Sequence, residues 1–194
     1  MSMEWPQGKY GAILADPPWA FRTWAGSAVP SRVADAHYQT MSMKQIAKLP
    51  VAELAADDCA LFLWCCWPTL PEALGIINAW GFEYKTCGFD WVKANNTQPD
   101  FFEEQLRGQV GMGYWTRANS EPCLLATRGK PKRLNADVRQ AIIEPRRQHS
   151  RKPDCVHGRI ERLVSGPYVE LFARAPREGW AVWGNETDKF AGAA

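Results

Sequence analysis

Short apolar runs alternate with segments of helical periodicity along most of the chain. Residues 9–15, Lys9-Tyr10-Gly11-Ala12-Ile13-Leu14-Ala15, form an apolar run that stops at Asp16-Pro17-Pro18. This predicts a buried strand ending in a rigid turn, because a diproline continues neither a strand ladder nor a helix. Ser42 followed by Gln45 is a capping box and predicts a short helix ending near Lys48, before Pro50. Residues 59–64 are almost continuously hydrophobic, as in a strand covered on both faces of a parallel sheet. Thr69 and Glu72 predict a second capping box, with Leu74, Ile77 and Trp80 as the apolar stripe of the helix and Gly81 as its stop. Residues 82–92 and 122–127 predict two further strands. A helix starts near Asp154, buries Val156, Ile160, Leu163 and Val164, and ends at Ser165-Gly166-Pro167; residues 168–172 and 180–183 are the last strands. Residues 22–40, 93–113 and 128–151 lack clean periodicity and read as loops, the second long enough to carry function.

Strands alternating with helices predict an α/β fold with a sheet between two helical layers. Sheets of that kind bind ligands beyond the carboxyl ends of their strands. Asp16 to Trp19 and the residues just after Phe172 and Trp183 are therefore expected to converge on one pocket. A chain of 194 residues that is 46% hydrophobic suits a single domain over 1–194, with no internal repeat or linker.

Charge adds a second surface to this picture. The formal net charge is only +2, but between Arg128 and Arg162 eleven Lys/Arg face four Asp/Glu, leaving the rest of the chain acidic. A basic stripe on an acidic body is the footprint expected for phosphate-backbone contact, a solvated charged loop being the alternative. Arg146, Arg147 and Arg151 are the residues expected to track phosphate. The six cysteines form no Cys-x-x-Cys pair and sit mostly in apolar runs, as buried reduced thiols do. His37, His149 and His157 have no metal-ligand spacing, so no metal is expected. Neither a signal-peptide pattern nor a membrane-length apolar run is present, which predicts a cytoplasmic protein with no membrane partner; monomer and homodimer are equally open. Trp64, Trp67, Trp80 and Trp91 are read as core aromatics.

The chemistry centres on Asp16-Pro17-Pro18-Trp19. An aromatic amine is a weak nucleophile because its lone pair is delocalised into the ring, so a catalyst must turn that lone pair toward an electrophile. The Asp16 carboxylate is placed to accept one N–H, and the Pro17 carbonyl, left free by the missing N–H of Pro18, to accept the other. Prolines fix both acceptors in advance. Trp19 offers a face for an unstacked base, and Arg22, Trp24 and Arg32 on the following loop are candidates for contacting a flipped base or its phosphates.

Asp16-Pro17-Pro18-Trp19 resembles the catalytic tetrapeptide of the MT-A70 family of adenine amino-methyltransferases, whose members include messenger-RNA enzymes and bacterial and phage proteins. The likeness continues through Tyr38-Gln39-Thr40-Met41-Ser42, Leu61-Phe62-Leu63-Trp64, Trp91-Val92-Lys93, Ser150-Arg151-Lys152-Pro153-Asp154, Glu170-Leu171-Phe172-Ala173-Arg174 and Trp183-Gly184-Asn185-Glu186. The resemblance implies a Rossmann-like methyltransferase sheet in circularly permuted order, S-adenosylmethionine (SAM) as cofactor, and methylation of the N6 amino group of adenine in nucleic acid. DNA is the favoured substrate and RNA the alternative, with a catalytically silent nucleic-acid-binding relative as a further reading. It also implies roles for particular residues. Asp16 matches the catalytic acid, Tyr38 a tyrosine near the acceptor base, and Lys152 the lysine that pairs with the SAM carboxylate. Phe172 and Arg174 fall on the cofactor side after a strand, and Asn185 and Glu186 match the pair holding the adenosine end. Ala173 stands where the family usually has Gly, and Glu186 where the messenger-RNA enzymes have Gln.

Overall fold

The computed structural model describes residues 4–20, 40–94, 115–116, 118–147, 151–187 and 189. Seven strands form one sheet in the order β5-β3-β4-β2-β1-β6-β7. They are β1 (Tyr10–Ala15), β2 (Ala55–Trp64), β3 (Glu83–Ala94), β4 (Ser120–Arg128), β5 (Ala141–Pro145), β6 (Tyr168–Leu171) and β7 (Trp180–Trp183). Among the described residues four helices accompany them, α1 (Met43–Ala47), α2 (Val51–Leu54), α3 (Leu70–Ala79) and α4 (Cys155–Leu163), with one 3₁₀ turn over Trp67–Thr69. β1 pairs in parallel with both β2 and β6, β6 with β7, and β3 with β5, while β4 runs antiparallel to β2 and β3.

The three layers follow from the period-2 alternation of side chains along the central strands. Ile13 and Ala15 of β1, with Leu61 and Leu63 of β2, point to one face and pack with Ile46 of α1, Val51 and Leu54 of α2, and Ala73, Ile76 and Ile77 of α3. Ala12 and Leu14, with Ala60 and Phe62, point to the other and meet Val156 and Ile160 of α4. Both faces of β1 are covered, which is why its sequence is an unbroken apolar run.

Local signals place the helices. Ser42 and Gln45 form the reciprocal capping box that starts α1. Gly81, at φ +78°, ends α3: its N–H donates to the Asn78 carbonyl and that of Phe82 to the Ile77 carbonyl, the paired bonds of a Schellman stop. Thr69 departs from the expected box with Glu72. Its hydroxyl donates to the Cys66 carbonyl and accepts from the Cys66 N–H, closing the 3₁₀ turn, and α3 then starts with Pro71 in its first turn. The segment read as a basic loop contains β5, which the sequence reading missed. Only Ile142 of that edge strand is buried, so no alternation stands out between its charged flanks. β3 carries two register shifts, around Lys85 and Gly88, that break the regular pattern of its sequence.

Candidate active site

β1 is the point where the chain changes direction across the sheet. Its neighbour β2 is reached past α1 and α2 on one face, and its neighbour β6 past α4 on the other. Crevices form at such points, beyond the carboxyl ends of the strands. Here the ends are level: Ala15 pairs with Leu171, and Leu171 with Trp183. The next residues, Asp16, Phe172 and Gly184, therefore emerge side by side. They open onto a cavity of about 430 Å³, within the range of small-ligand sites. Asp16 and Pro18 form one wall, Phe172, Ala173 and Arg174 a second, and Trp183 to Glu186 a third. Thr40, Met41 and Gln45, ahead of and within α1, complete it. The three chain-distant segments expected from the sequence thus meet at one cavity.

Backbone geometry shapes the cavity walls that follow β6 and β7. Phe172 adopts φ +64°, the left-handed region that costs a non-glycine residue of order 1–3 kcal/mol and that persists only where its surroundings enforce it. The enforcing contacts are the Ala173 N–H donating to the Trp183 carbonyl at 2.9 Å and the Phe172 ring packing edge-on against Trp183 at 5.5 Å. Gly184 is obligatory for a different reason: a Cβ there would lie 2.5 Å from the Ala173 carbonyl oxygen and 2.9 Å from its nitrogen. At the rim, Arg174 Nε lies 3.8 Å from Glu186 Oε2, and Lys189 Nζ is 2.7 Å from Glu186 Oε1.

The tetrapeptide differs from its sequence reading in two respects. Trp19 is only 5% exposed, and its Nε1 donates to the Trp64 carbonyl at 2.9 Å, so its ring belongs to the core and gives no open face for a base. Pro17 is buried, and its carbonyl accepts from the Trp19 N–H at 2.8 Å, so it is not free; only its second lone pair is left for a substrate amine. The Pro18 carbonyl accepts from the Met41 N–H at 3.0 Å, tying the turn to the entry of α1. The turn is rigid, as expected, through these bonds as well as through its prolines.

Asp16 does not stand alone. Lys152 Nζ donates to Asp16 Oδ2 at 2.7 Å and lies 3.6 Å from Glu121 Oε2, while Glu121 Oε1 accepts from Lys93 Nζ. Lys93 lies one residue from the end of β3, Glu121 is the second residue of the antiparallel β4, Asp16 follows β1 and Lys152 precedes α4, so four elements bring alternating charges to the same sheet edge as the cavity. Burial alone would lower the Lys152 pKa, but the charges of Asp16 and Glu121 outweigh it and hold the ammonium above its ordinary range. Burial likewise works against the Glu121 carboxylate, and Lys152 and Lys93 overcome it, holding the group below the usual carboxylate range. Lys152, assigned by resemblance to a cofactor carboxylate, is engaged with Asp16 and is not among the residues lining the cavity. Sequence reasoning missed Glu121 as a site residue. Its signal was a carboxylate at the threshold of the otherwise apolar run Pro122-Cys123-Leu124-Leu125.

The remaining expectations divide. Arg22, Trp24, Arg32 and Tyr38 lie outside the described residues. Arg147 Nη1 and Arg151 Nη2 both bond Asp154 Oδ2, at 2.6 and 3.1 Å, and Arg146 follows β5 exposed, all at the carboxyl edge near Lys152. Arg128, Lys130, Lys132 and Arg133 lie at the opposite edge, where the Lys130 N–H meets Asp58 and the Leu134 N–H meets the end of α4. The basic segment is thus divided between two ends of the sheet, because β5 crosses it, and does not form one stripe. Trp67, read as core, is 47% exposed. Cys65 and Cys66 border the network, but burial pushes their thiols up to about 12 and about 11, which keeps them protonated and unreactive at neutral pH. No helix among the described residues is long and apolar enough to cross a membrane.

This geometry has counterparts among known proteins. The MT-A70 family model matches residues 10–186. The chain is 32% identical over 198 residues to the Type II methyltransferase M.MunI of a Mycoplasma species, covering 93% of this chain and 79% of that protein. It is 29% identical over 185 residues to the human N(6)-adenosine-methyltransferase catalytic subunit METTL3, covering 93% of this chain and 29% of METTL3. It is 30% identical to the N(6)-adenosine-methyltransferase MT-A70-like protein of Drosophila melanogaster, of which it covers 27%. The chain therefore spans less than a third of these longer animal proteins. With the match running from the first residue of β1 to the last residue of the cavity wall, the chain belongs to the MT-A70 family of adenine N6-methyltransferases.

Proposed function

We propose that this chain, as one catalytic domain, transfers the methyl group of SAM to the N6 amino group of an adenine in DNA. The observation that carries the reading is Asp16: a carboxylate at the mouth of the cavity where the ends of β1, β6 and β7 meet. The residues present fit SAM. Asp16 and Glu186 supply acceptors suited to ribose hydroxyls and to a cationic donor, Arg174 and Asn185 supply hydrogen-bond donors, and Phe172 and Trp183 supply apolar walls. Bound there, SAM provides an electrophilic methyl carbon. Asp16 accepts one N–H of the adenine amine, and the second lone pair of the Pro17 carbonyl accepts the other, which turns the nitrogen lone pair toward that carbon. As the nitrogen–carbon bond formed and the sulfur–carbon bond broke to leave a neutral thioether, the positive charge would pass to the nitrogen, where the fixed carboxylate favours it until one N–H proton is released to solvent. Lys152 fixes the Asp16 carboxylate in orientation, while Glu121 and Lys93 hold Lys152 in place.

Lys152 also moderates the site. Its charge partly neutralises Asp16, so the carboxylate does not hold the cationic donor as a simple ion pair would. Arg146 and its neighbours at the same edge support a nucleic-acid substrate approaching from that side.

DNA is preferred because the chain spans 79% of a Type II methyltransferase. The second reading, RNA, is favoured by the relatives named for adenosine, the ribonucleoside. Incubating the protein with labelled SAM and matched panels of single-stranded and duplex DNA and RNA, then digesting to nucleosides, tests both. N6-methyl-deoxyadenosine is the expected product. N6-methyladenosine from RNA alone would replace the DNA reading, and no labelled adenine from any substrate would remove the enzyme reading.

A further inference from the structure

We propose that Trp64 is a positioning residue for Asp16, its indole seating the Lys152 ammonium and its carbonyl holding the far end of the tetrapeptide; this rests on the methyl-transfer reading above. Trp64 is the last residue of β2 and only 1% exposed. Leu63 pairs with Ala15 across the parallel strands, so Trp64 and Asp16 leave the sheet at the same level. The indole belongs to the core cluster that packs on Val156 and Ile160 of α4, the helix that Lys152 precedes.

A buried tryptophan is by default a core side chain, but two contacts give this one a second task. Lys152 Nζ lies over the indole, 5.5 Å from the ring centroid, within the reach of a cation–π attraction. The Trp64 carbonyl accepts from Trp19 Nε1 at 2.9 Å. Lys152 also donates to Asp16 Oδ2 at 2.7 Å, so the contacts close a circuit. It runs from indole to ammonium, from ammonium to carboxylate, along the chain from Asp16 to Trp19, and back to the main chain of residue 64. The reacting carboxylate is thereby held from two directions by one residue.

The chemistry of the ring suits this task. The Lys152 side chain is mostly buried, and an ammonium removed from water needs compensation from what surrounds it. Carboxylate oxygens of Asp16 and Glu121 meet it at 2.7 and 3.6 Å. The indole face attracts the charge through its quadrupole, without a lone pair in one fixed direction, so it does not compete with Asp16 for an N–H. An aliphatic side chain would fill the same space without attracting the ammonium, and a further carboxylate would draw Lys152 off Asp16. Trp80 provides the contrast. It is equally buried and its Nε1 donates to the Ile46 carbonyl at 3.1 Å, but it sits in the other core cluster, and among the described residues no ammonium lies over it.

The test keeps the shape of the indole and changes its electrons. Progressively fluorinated tryptophans, placed at position 64 of the full chain by nonsense suppression, weaken the negative face of the ring while leaving its packing and the residue 64 carbonyl in place. With SAM and an adenine-containing DNA oligonucleotide, kcat should fall stepwise with fluorination to about three- to tenfold below wild type, while both KM values stay within about twofold. The same series at position 80 should leave kcat unchanged. Trp64→Phe, which keeps a π-face, should lose less than Trp64→Leu; should Trp64→Leu fail to fold, the fluorinated series still decides. NMR reads the placement without catalysis: the indole ring current should shift the Lys152 ε-CH2 protons upfield, and Trp64→Phe should change that shift. A kcat indifferent to fluorination, an equal fall at position 80, or an unshifted Lys152 resonance overturns the proposal. If wild-type protein methylates nothing, the reaction assignment fails, while a Lys152 shift that follows residue 64 still supports the hold of the ring on the ammonium.

Discussion

The two halves of the sheet edge are built by different means. On the β1–β6–β7 side the cavity is made by backbone: level strand ends, a left-handed Phe172 and a glycine whose Cβ would collide with Ala173. On the β2–β4–β3 side it is bordered by charge, with Lys93, Glu121, Lys152 and Asp16 in alternating sign. The first half suits holding a cofactor of fixed shape, and the second suits orienting a reacting group and meeting its changing charge. Among the described residues, Asp16 is the one that belongs to both.

Four changes test that division, in order of expected effect. Asp16→Asn removes the charge at the junction and should lower single-turnover methyl transfer on the order of 100- to 1000-fold, while SAM binding by calorimetry changes only a few-fold. Equal losses in binding and transfer would assign Asp16 to the cofactor half alone. Lys152→Met leaves Asp16 without its cation and Glu121 with Lys93 alone. It should cost about 2–4 kcal/mol in urea unfolding, toward the lower end for broken buried pairs because these groups keep some solvent contact. Unchanged stability would mean that the network contributes nothing.

Gly184→Ala probes the backbone half. Forcing the strand ends apart should destabilise the protein by about 1–3 kcal/mol and weaken SAM binding, with the Lys152 network intact. Normal SAM affinity would show that the close approach of residues 173 and 184 does not shape the cavity. Glu121→Gln gives the smallest change at neutral pH but a distinct one in acid. The Glu121 pKa is held below its ordinary value of 4.5, so its stabilisation is present above that value and is lost as pH falls through the folded value. Lys152, raised above its ordinary 10.5, loses its contribution only as pH rises beyond that range. Wild-type stability should therefore fall more steeply than that of Glu121→Gln below about pH 4.5, and parallel acid limbs would sever Glu121 from the network.

The same contrast explains what the sequence disclosed. The backbone half was legible because its signals are local: the apolar run of residues 10–15 broken by diproline, the capping box of Ser42 and Gln45, the Gly81 stop, and strand ends that the α/β rule sends to one crevice. The charged half was not, because Asp16 and Lys152 lie 136 residues apart, and Lys93 and Glu121 meet only through the antiparallel β3–β4 pairing. Trp19 misled for a related reason. An aromatic beside a catalytic turn reads the same whether it faces solvent or, as here, donates to the Trp64 carbonyl inside the core. β5 escaped because an edge strand with one buried side chain has no periodic pattern to show.

The most direct test of the central claim is a structure of the chain with S-adenosylhomocysteine and an adenine-containing oligonucleotide. The cofactor should occupy the cavity between Phe172 and Glu186, with adenine N6 within hydrogen-bonding distance of an Asp16 carboxylate oxygen and of the Pro17 carbonyl. An N6 atom held by other groups, with Asp16 still paired only to Lys152, would contradict the account.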